Sequence, residues 1–369
     1  MKIILLLVLK IHQEGYPVQN YSVITSDGYV LQLVRITRSK KSQQIKEKTV
    51  VFLMHGLLCS SMDWLVLGKE KALPFLLADA GFDVFLGNAR GNSHSRKNIH
   101  LSPNSKKFWN FSWHEIGTID IPAMIDFALS LTQQSSLHYI GHSQGTTSFF
   151  VSASIREELN MKVRTMHALA PVAFMNHLKS PLLRIMAPMV NKIHRIFDSL
   201  GVYEFLPTHD MMVQFGMHAC QRESSFREVC ANALFLLCGY DSIQFNRTLF
   251  SQIAQYTPAG ASVDQLVHYA QEINSGKFQM FDYGILKNFV KYHGKSPPSY
   301  QLDKISVQIF LYYGDNDWMA SVIDVQRLAK KLKKNHQIFL KKFNHLDFIY
   351  GNDADKLVYK KVIEIIKEN

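Results

Sequence analysis

The feature that most limits how this chain can fold is Leu137-His138-Tyr139-Ile140-Gly141-His142-Ser143-Gln144-Gly145-Thr146. An apolar run of β-type residues ends at Gly141, and Thr146 to Ile155 continues as a helix. Between them stands G-x-S-x-G, in which a strand turns abruptly into a helix and presents a serine hydroxyl at the bend. The turn strains the serine backbone, and side chains at 141 or 145 would collide with the neighbouring strand and helix. The motif alone says little; its strand before and helix after give it weight.

Read in order, the chain surrounds this element with more of the same kind. Tyr21 to Ile24 and Tyr29 to Ile36 flank Ser26-Asp27-Gly28, a hairpin signal. Thr49 to Met54 is a continuous apolar strand running into His55-Gly56-Leu57-Leu58, as expected of a parallel sheet buried on both faces. Leu73 to Ala80 reads as a helix, Phe82 to Leu86 as a strand, Ile121 to Leu131 as a helix and Arg164 to Leu169 as a sixth strand. Val307 to Tyr312 and Gln337 to Leu340 are strands seven and eight, with a helix from about Ser321 to Leu332 between them and another over Leu357 to Ile366. The alternation predicts an open α/β fold: a mostly parallel eight-stranded sheet with helices on both faces.

Between Val172 and Pro298 the pattern changes. Leu182, Ile185, Met189, Ile193 and Ile196 recur at helical spacing, and Met211, Met212, Phe215, Met217, Ala233, Leu234 and Leu237 continue the theme. We read residues 172–300 as a helical cap inserted between the two parts of the core, 1–171 and 301–369. Its methionines and aromatics serve either simple packing or an acyl-chain pocket.

A serine hydroxyl needs a neighbouring base, and the base needs an acid that sets its tautomer. In α/β-hydrolases the order along the chain is Ser, acid, His, each after the carboxyl end of a strand. Ser143, Asp317 and His345 satisfy both order and placement. Asp315 and Asp324 are alternative acids; His142, which we expect to point away from the serine, and His94, His100 and His114 are alternative bases. A tetrahedral oxyanion requires two donors, and the backbone N–H groups of Leu57 and Gln144 are placed to supply them.

Composition narrows the rest. Hydrophobic residues make up 47% and charged residues 19%, which excludes a disordered chain. No apolar run approaches the ~18 residues of a membrane span. The longest, Ile3 to Leu9, reads equally as a signal-peptide core or as a buried N-terminal helix. The net charge of +11, clustered at Arg38–Lys48 and Arg327–Lys342, suits a solvated surface or attraction to anionic lipid. No nucleic-acid recognition motif accompanies it. Four cysteines are few for a disulfide scaffold; Cys59 reads as a buried thiol, and Cys220, Cys230 and Cys238 cluster without the histidine spacing of a zinc site. One local disulfide is plausible in an oxidising compartment. Sequons begin at Asn20, Asn110 and Asn246.

Taken together, Asp27-Gly28-Tyr29, His55-Gly56-Leu57-Leu58, Gly87-Asn88-Ala89-Arg90-Gly91-Asn92, Phe111-Ser112-Trp113-His114-Glu115, Gly141-His142-Ser143-Gln144-Gly145, Gly276-Lys277-Phe278-Gln279 and Asn344-His345-Leu346-Asp347-Phe348 resemble the acid lipase family of α/β-hydrolases. The resemblance runs from Gly15 to the C-terminal helix. It implies a serine lipase or esterase acting on carboxylic esters of neutral lipids, triacylglycerols or sterol esters, at a lipid–water interface. Esters or thioesters of smaller acyl groups, or idle lipid binding, are the alternatives. It implies a Ser143–Asp317–His345 triad, an oxyanion hole at Leu57 and Gln144, no cofactor or metal, a cap with a mobile lid, and a secreted or lysosomal monomer. It places a disulfide at Cys220–Cys230, with Cys238 free. The family commonly has proline where Val322 stands and a cysteine loop one residue shorter.

Overall fold

The computed structural model describes residues 2–37, 39, 41, 48–206, 236–240, 243–244 and 249–369. Eight strands form one sheet: β1 Val18–Ile24, β2 Val30–Ile36, β3 Val50–Met54, β4 Asp83–Gly87, β5 Leu137–His142, β6 Val163–Leu169, β7 Gln308–Gly314 and β8 Asn335–Leu340. Their spatial order is β1-β2-β4-β3-β5-β6-β7-β8. β2 pairs antiparallel with β1 and β4, and every other neighbouring pair is parallel. This is the α/β-hydrolase fold.

The period of two along each strand divides the core. Val50, Phe52 and Met54 of β3 enter one hydrophobic cluster, while Val51 and Leu53 enter the other on the opposite face. Ile309 and Leu311 of β7 separate in the same way from Phe310 and Tyr312. Both faces are therefore covered, which is why β3, β4 and β5 read as unbroken apolar runs. The N-terminal run forms helix Lys2–Gln13, whose Leu7 and Ile11 join the second cluster.

A buried ion cluster ties the hairpin to the central sheet. Arg90, 2% exposed, follows β4 and bonds Asp120 through Nε at 2.8 Å and Asp27 through Nη2 at 3.0 Å. Its guanidinium also lies 4.1 Å from the Tyr29 ring centroid. Burial pushes the Asp120 carboxyl up, and Arg90 opposes that shift. Arg90→Ala leaves a fully buried carboxylate uncompensated, so the unfolding free energy should fall by about 3–5 kcal/mol. Urea unfolding measures this, and adding Asp120→Asn should recover part of the loss because a neutral amide is cheaper to bury.

Three expectations need adjustment. Residues 172–300 are not helical throughout: Glu204–Phe205 pairs antiparallel with Ala261–Ser262. The stripe of Leu182, Ile185, Met189, Ile193 and Ile196 divides: Ile185 is 69% exposed and Ile196 55%, whereas Ile193 lines an apolar cavity. The last helix is preceded by a π-helical turn, Asp355–Tyr359, and spans Lys360–Glu368. Val322 opens helix Val322–Lys331 directly after its N-cap Ser321. Proline fits that first helical position without losing a hydrogen bond. Cys220, Cys230, Asn246 and Met211 through Leu234 lie outside the described residues.

Candidate active site

Three loops at the carboxyl ends of parallel strands converge on Ser143. The serine occupies the turn between β5 and helix Gln144–Ile155 with φ 50° and ψ −116°, a conformation L-residues rarely adopt. The turn is this tight because two glycines allow it. A Cβ at Gly145 would lie 2.4 Å from the Met54 carbonyl oxygen, and one at Gly141 would lie 2.8 Å from the Gly145 backbone. The bend is clamped by Ser143 N–H donating to Leu169 O at 3.0 Å and by Thr146 Oγ1 donating to Ser143 O at 2.6 Å.

Ser143 Oγ stands 2.7 Å from His345 Nε2, and His345 Nδ1 stands 2.9 Å from Asp317 Oδ2. The three residues, 8%, 2% and 0% exposed, form one hydrogen-bonded row under the surface. Asp317 is oriented by its own loop: Oδ1 accepts from Met319 N–H at 2.9 Å and Ala320 N–H at 2.7 Å. A carboxylate so placed holds the imidazole proton on Nδ1, leaving Nε2 free to take a proton from the hydroxyl. The competing acids are engaged elsewhere. Asp315 accepts from Lys342 N–H at 2.6 Å, and Asp324 bonds His177 Nδ1 at 2.8 Å. Among the competing bases, His114 Nδ1 bonds Tyr300 Oη at 2.7 Å, and burial lowers His94 to about 4.

Several supporting residues gave no signal in the sequence. His142 makes its contact with His345 rather than with Ser143: its Nε2 lies 2.9 Å from His345 O. Burial lowers His142 to about 3, so the ring is neutral and donates through Nε2. Cys238 O accepts from the backbone N–H of both His345 and Trp318, at 3.3 Å each, joining the base loop to the acid loop. Gly239 follows with φ +111°, where any Cβ would meet Asn316 O at 2.0 Å. These contacts join segments 77 or more positions apart, which no local pattern encodes.

The two positions expected to donate to an oxyanion border the serine. Gln144 is the first residue of its helix, where an N–H finds no acceptor within the helix itself. Its side chain donates from Nε2 to Gln265 Oε1 of helix Val263–Ser275 at 2.7 Å. The Gly56–Leu57 loop runs so close that a Cβ on Gly56 would lie 3.2 Å from Ser143 Cβ. His55 holds this loop. Its Nδ1 contacts Gly56 O at 2.8 Å while Nε2 accepts from Ala89 N–H at 3.1 Å, which fixes the tautomer.

Ser143 opens on a cavity of about 150 Å³ with almost entirely apolar walls, including Leu57, Met175, Val190, Phe197, Leu266 and Met319. Among the described residues no group of three His, Cys, Asp or Glu side chains could hold a metal ion. No described helix is long and apolar enough to cross a membrane.

A strained serine, a histidine and a buried carboxylate at the strand ends of this sheet, facing an apolar cavity, define the class: an α/β-hydrolase of the serine type. Residues 49–352 match the family described as "alpha/beta hydrolase fold", and residues 9–68 match "Partial alpha/beta-hydrolase lipase region". The chain is 44% identical to Lipase 3 of Drosophila melanogaster, over 96% of this chain and 91% of that protein. It is 41% identical to gastric triacylglycerol lipase of Rattus norvegicus, over 96% and 90%. It is 38% identical to lysosomal acid lipase/cholesteryl ester hydrolase of Homo sapiens, over 96% and 88%. The chain belongs to the acid lipase family.

Proposed function

We propose that this chain is a lipase that hydrolyses carboxylic esters of neutral lipids through an acyl-enzyme on Ser143. The observation that carries the reading is the 2.7 Å contact between Ser143 Oγ and His345 Nε2 at the floor of an apolar cavity. Ser143 Oγ attacks the ester carbonyl while His345 Nε2 takes its proton, and Asp317 steadies the imidazolium. The oxyanion is met by Leu57 N–H and Gln144 N–H. His345 then protonates the departing alcohol oxygen, the acyl-enzyme forms, and a water activated by the same nitrogen releases the fatty acid.

Residues 172–300 act as the cap that walls the acyl-chain pocket between core segments 1–171 and 301–369. The relatives' names include both triacylglycerol and cholesteryl ester hydrolysis, and both substrates are assigned to this site. The enzyme works as a secreted or lysosomal monomer on a lipid–water interface, and the sequon asparagines Asn20 and Asn110 are exposed, as glycosylation requires. Turnover of emulsified triolein and cholesteryl oleate is expected alongside that of a short-chain nitrophenyl ester. Turnover of the nitrophenyl ester alone would move the assignment to small acyl substrates.

The cap carries a pH-dependent contact. His194 Nε2 lies 3.0 Å from Asp264 Oδ1, joining helices Val190–Ser199 and Val263–Ser275. That hydrogen bond raises the imidazole above its ordinary 6.5, and Asp198, Lys106 and the partly opposing burial complete its surroundings. A raised value in the folded state means the contact stabilises fully below the unfolded value and is lost as pH rises through the folded one. Amide exchange in helix Val190–Ser199, corrected for the intrinsic pH dependence of exchange, should therefore accelerate as pH rises above about 6.5. In His194→Ala this excess acceleration should disappear.

A further inference from the structure

Helix Ile285–Tyr292 is turned inside out relative to an ordinary surface helix. Ile285, Leu286, Phe289 and Val290 are all exposed, Leu286 at 84% and Val290 at 82%. At about 100° per residue these four cover an arc of about 140° on one side. Polar groups hold the other side. Asn288, 1% exposed, donates to Asp282 Oδ1 at 2.7 Å and Lys295 O at 3.1 Å and accepts from Tyr283 N–H at 3.0 Å. A surface helix normally buries its apolar stripe. Here hydrogen bonds fix the helix so that the stripe faces outward.

Lys287 and Lys291 come next around the helix, at about 200° and 240° from Ile285. Both are exposed, as is Lys295 beyond the helix end. Lys291 Nζ is held 2.8 Å from Tyr283 Oη, and Lys287 lies nearer the apolar arc. An apolar arc flanked on one side by lysines is the pattern of a helix lying in a negatively charged lipid surface. A second copy of the chain is a poor occupant, because a two-fold contact would set the lysines of both copies against each other. Lys287 and Gly284 border the same cleft as Asn191, His194 and Arg195, so the helix neighbours the one that walls the cavity.

The geometry points to helix Ile285–Tyr292 as a docking element for a neutral-lipid surface charged by ionised fatty acid. This inference rests on the proposed hydrolysis, which supplies that charge: each ester cleaved leaves a carboxylate in the surface. Leu286 and Val290 enter the acyl layer, and Lys287 and Lys291 meet the carboxylates at its edge. Binding therefore tightens as the reaction proceeds.

Flotation with phosphatidylcholine vesicles, with and without oleate at a pH where oleate is ionised, tests the assignment. A Ser143→Ala background keeps the lipid composition constant. Oleate should raise binding, and Leu286→Ser with Val290→Ser should lower it at least about tenfold on both surfaces. Lys287→Glu with Lys291→Glu should remove the gain from oleate, roughly thirtyfold at about 1 kcal/mol for each lysine, while leaving binding to pure phosphatidylcholine near the parent's. With Ser143 restored, both variants should hydrolyse a soluble nitrophenyl ester within about twofold of the parent, which shows that they fold. Unchanged binding of both variants overturns the docking role, as does a gain from phosphatidylserine without one from oleate. A parent that binds oleate vesicles yet hydrolyses no ester refutes the enzymatic reading instead.

Discussion

Ser143→Ala should lower kcat on any ester substrate by about 10⁶, with the fold and the cavity retained. Ser143 Oγ has one close partner, His345 Nε2 at 2.7 Å, so removing the hydroxyl deletes the nucleophile and leaves the base without its proton donor. Little else changes. The serine's backbone contacts to Leu169 O and from Thr146 do not involve the side chain, and alanine retains the Cβ that the turn already accommodates. Steady-state turnover of a nitrophenyl ester, with thermal melting as the fold control, reads the result. Activity within about a hundredfold of the parent would show that the chemistry does not pass through this oxygen.

Asp317→Asn should cost about 10⁴ in kcat by a different route. Oδ1 of Asp317 already accepts from two backbone N–H groups, Met319 and Ala320. An asparagine must therefore place its carbonyl oxygen at that position, and its NH₂ replaces Oδ2, 2.9 Å from His345 Nδ1. Two donors then face each other. The imidazole escapes by moving its proton to Nε2, where it can no longer accept one from Ser143. The variant should keep KM and stability close to the parent's, because packing is unchanged, and the loss should fall on kcat.

The parts of this molecule legible in the sequence are those governed by local pattern. β3 is an apolar run because both its faces are covered, and β5 ends at glycines because Met54 O and the Gly145 backbone leave no room for a Cβ. Ser143, Asp317 and His345 could be picked out because each follows a recognisable strand. What remained illegible depends on distant segments meeting. Nothing near His142 announces that its ring holds the carbonyl of His345, and nothing near Cys238 announces that its carbonyl joins the loops of Trp318 and His345. The stripe from Leu182 to Ile196 is legible only in part for a related reason: spacing of three and four reports one face of a helix, not which neighbour covers it. It crosses two helices, Pro181–Met186 and Val190–Ser199, and Ile185 and Ile196 are exposed while Ile193 walls the cavity with Val190 and Phe197.

The account rests on Ser143 being an activated nucleophile, and covalent capture measures that directly. A fluorophosphonate probe applied to the native enzyme, followed by digestion and mass spectrometry, should mark one peptide, with the phosphonyl group on Ser143. The Ser143→Ala protein should stay unlabelled. Labelling that persists in Ser143→Ala, or a folded native enzyme that takes up no probe, would contradict the account.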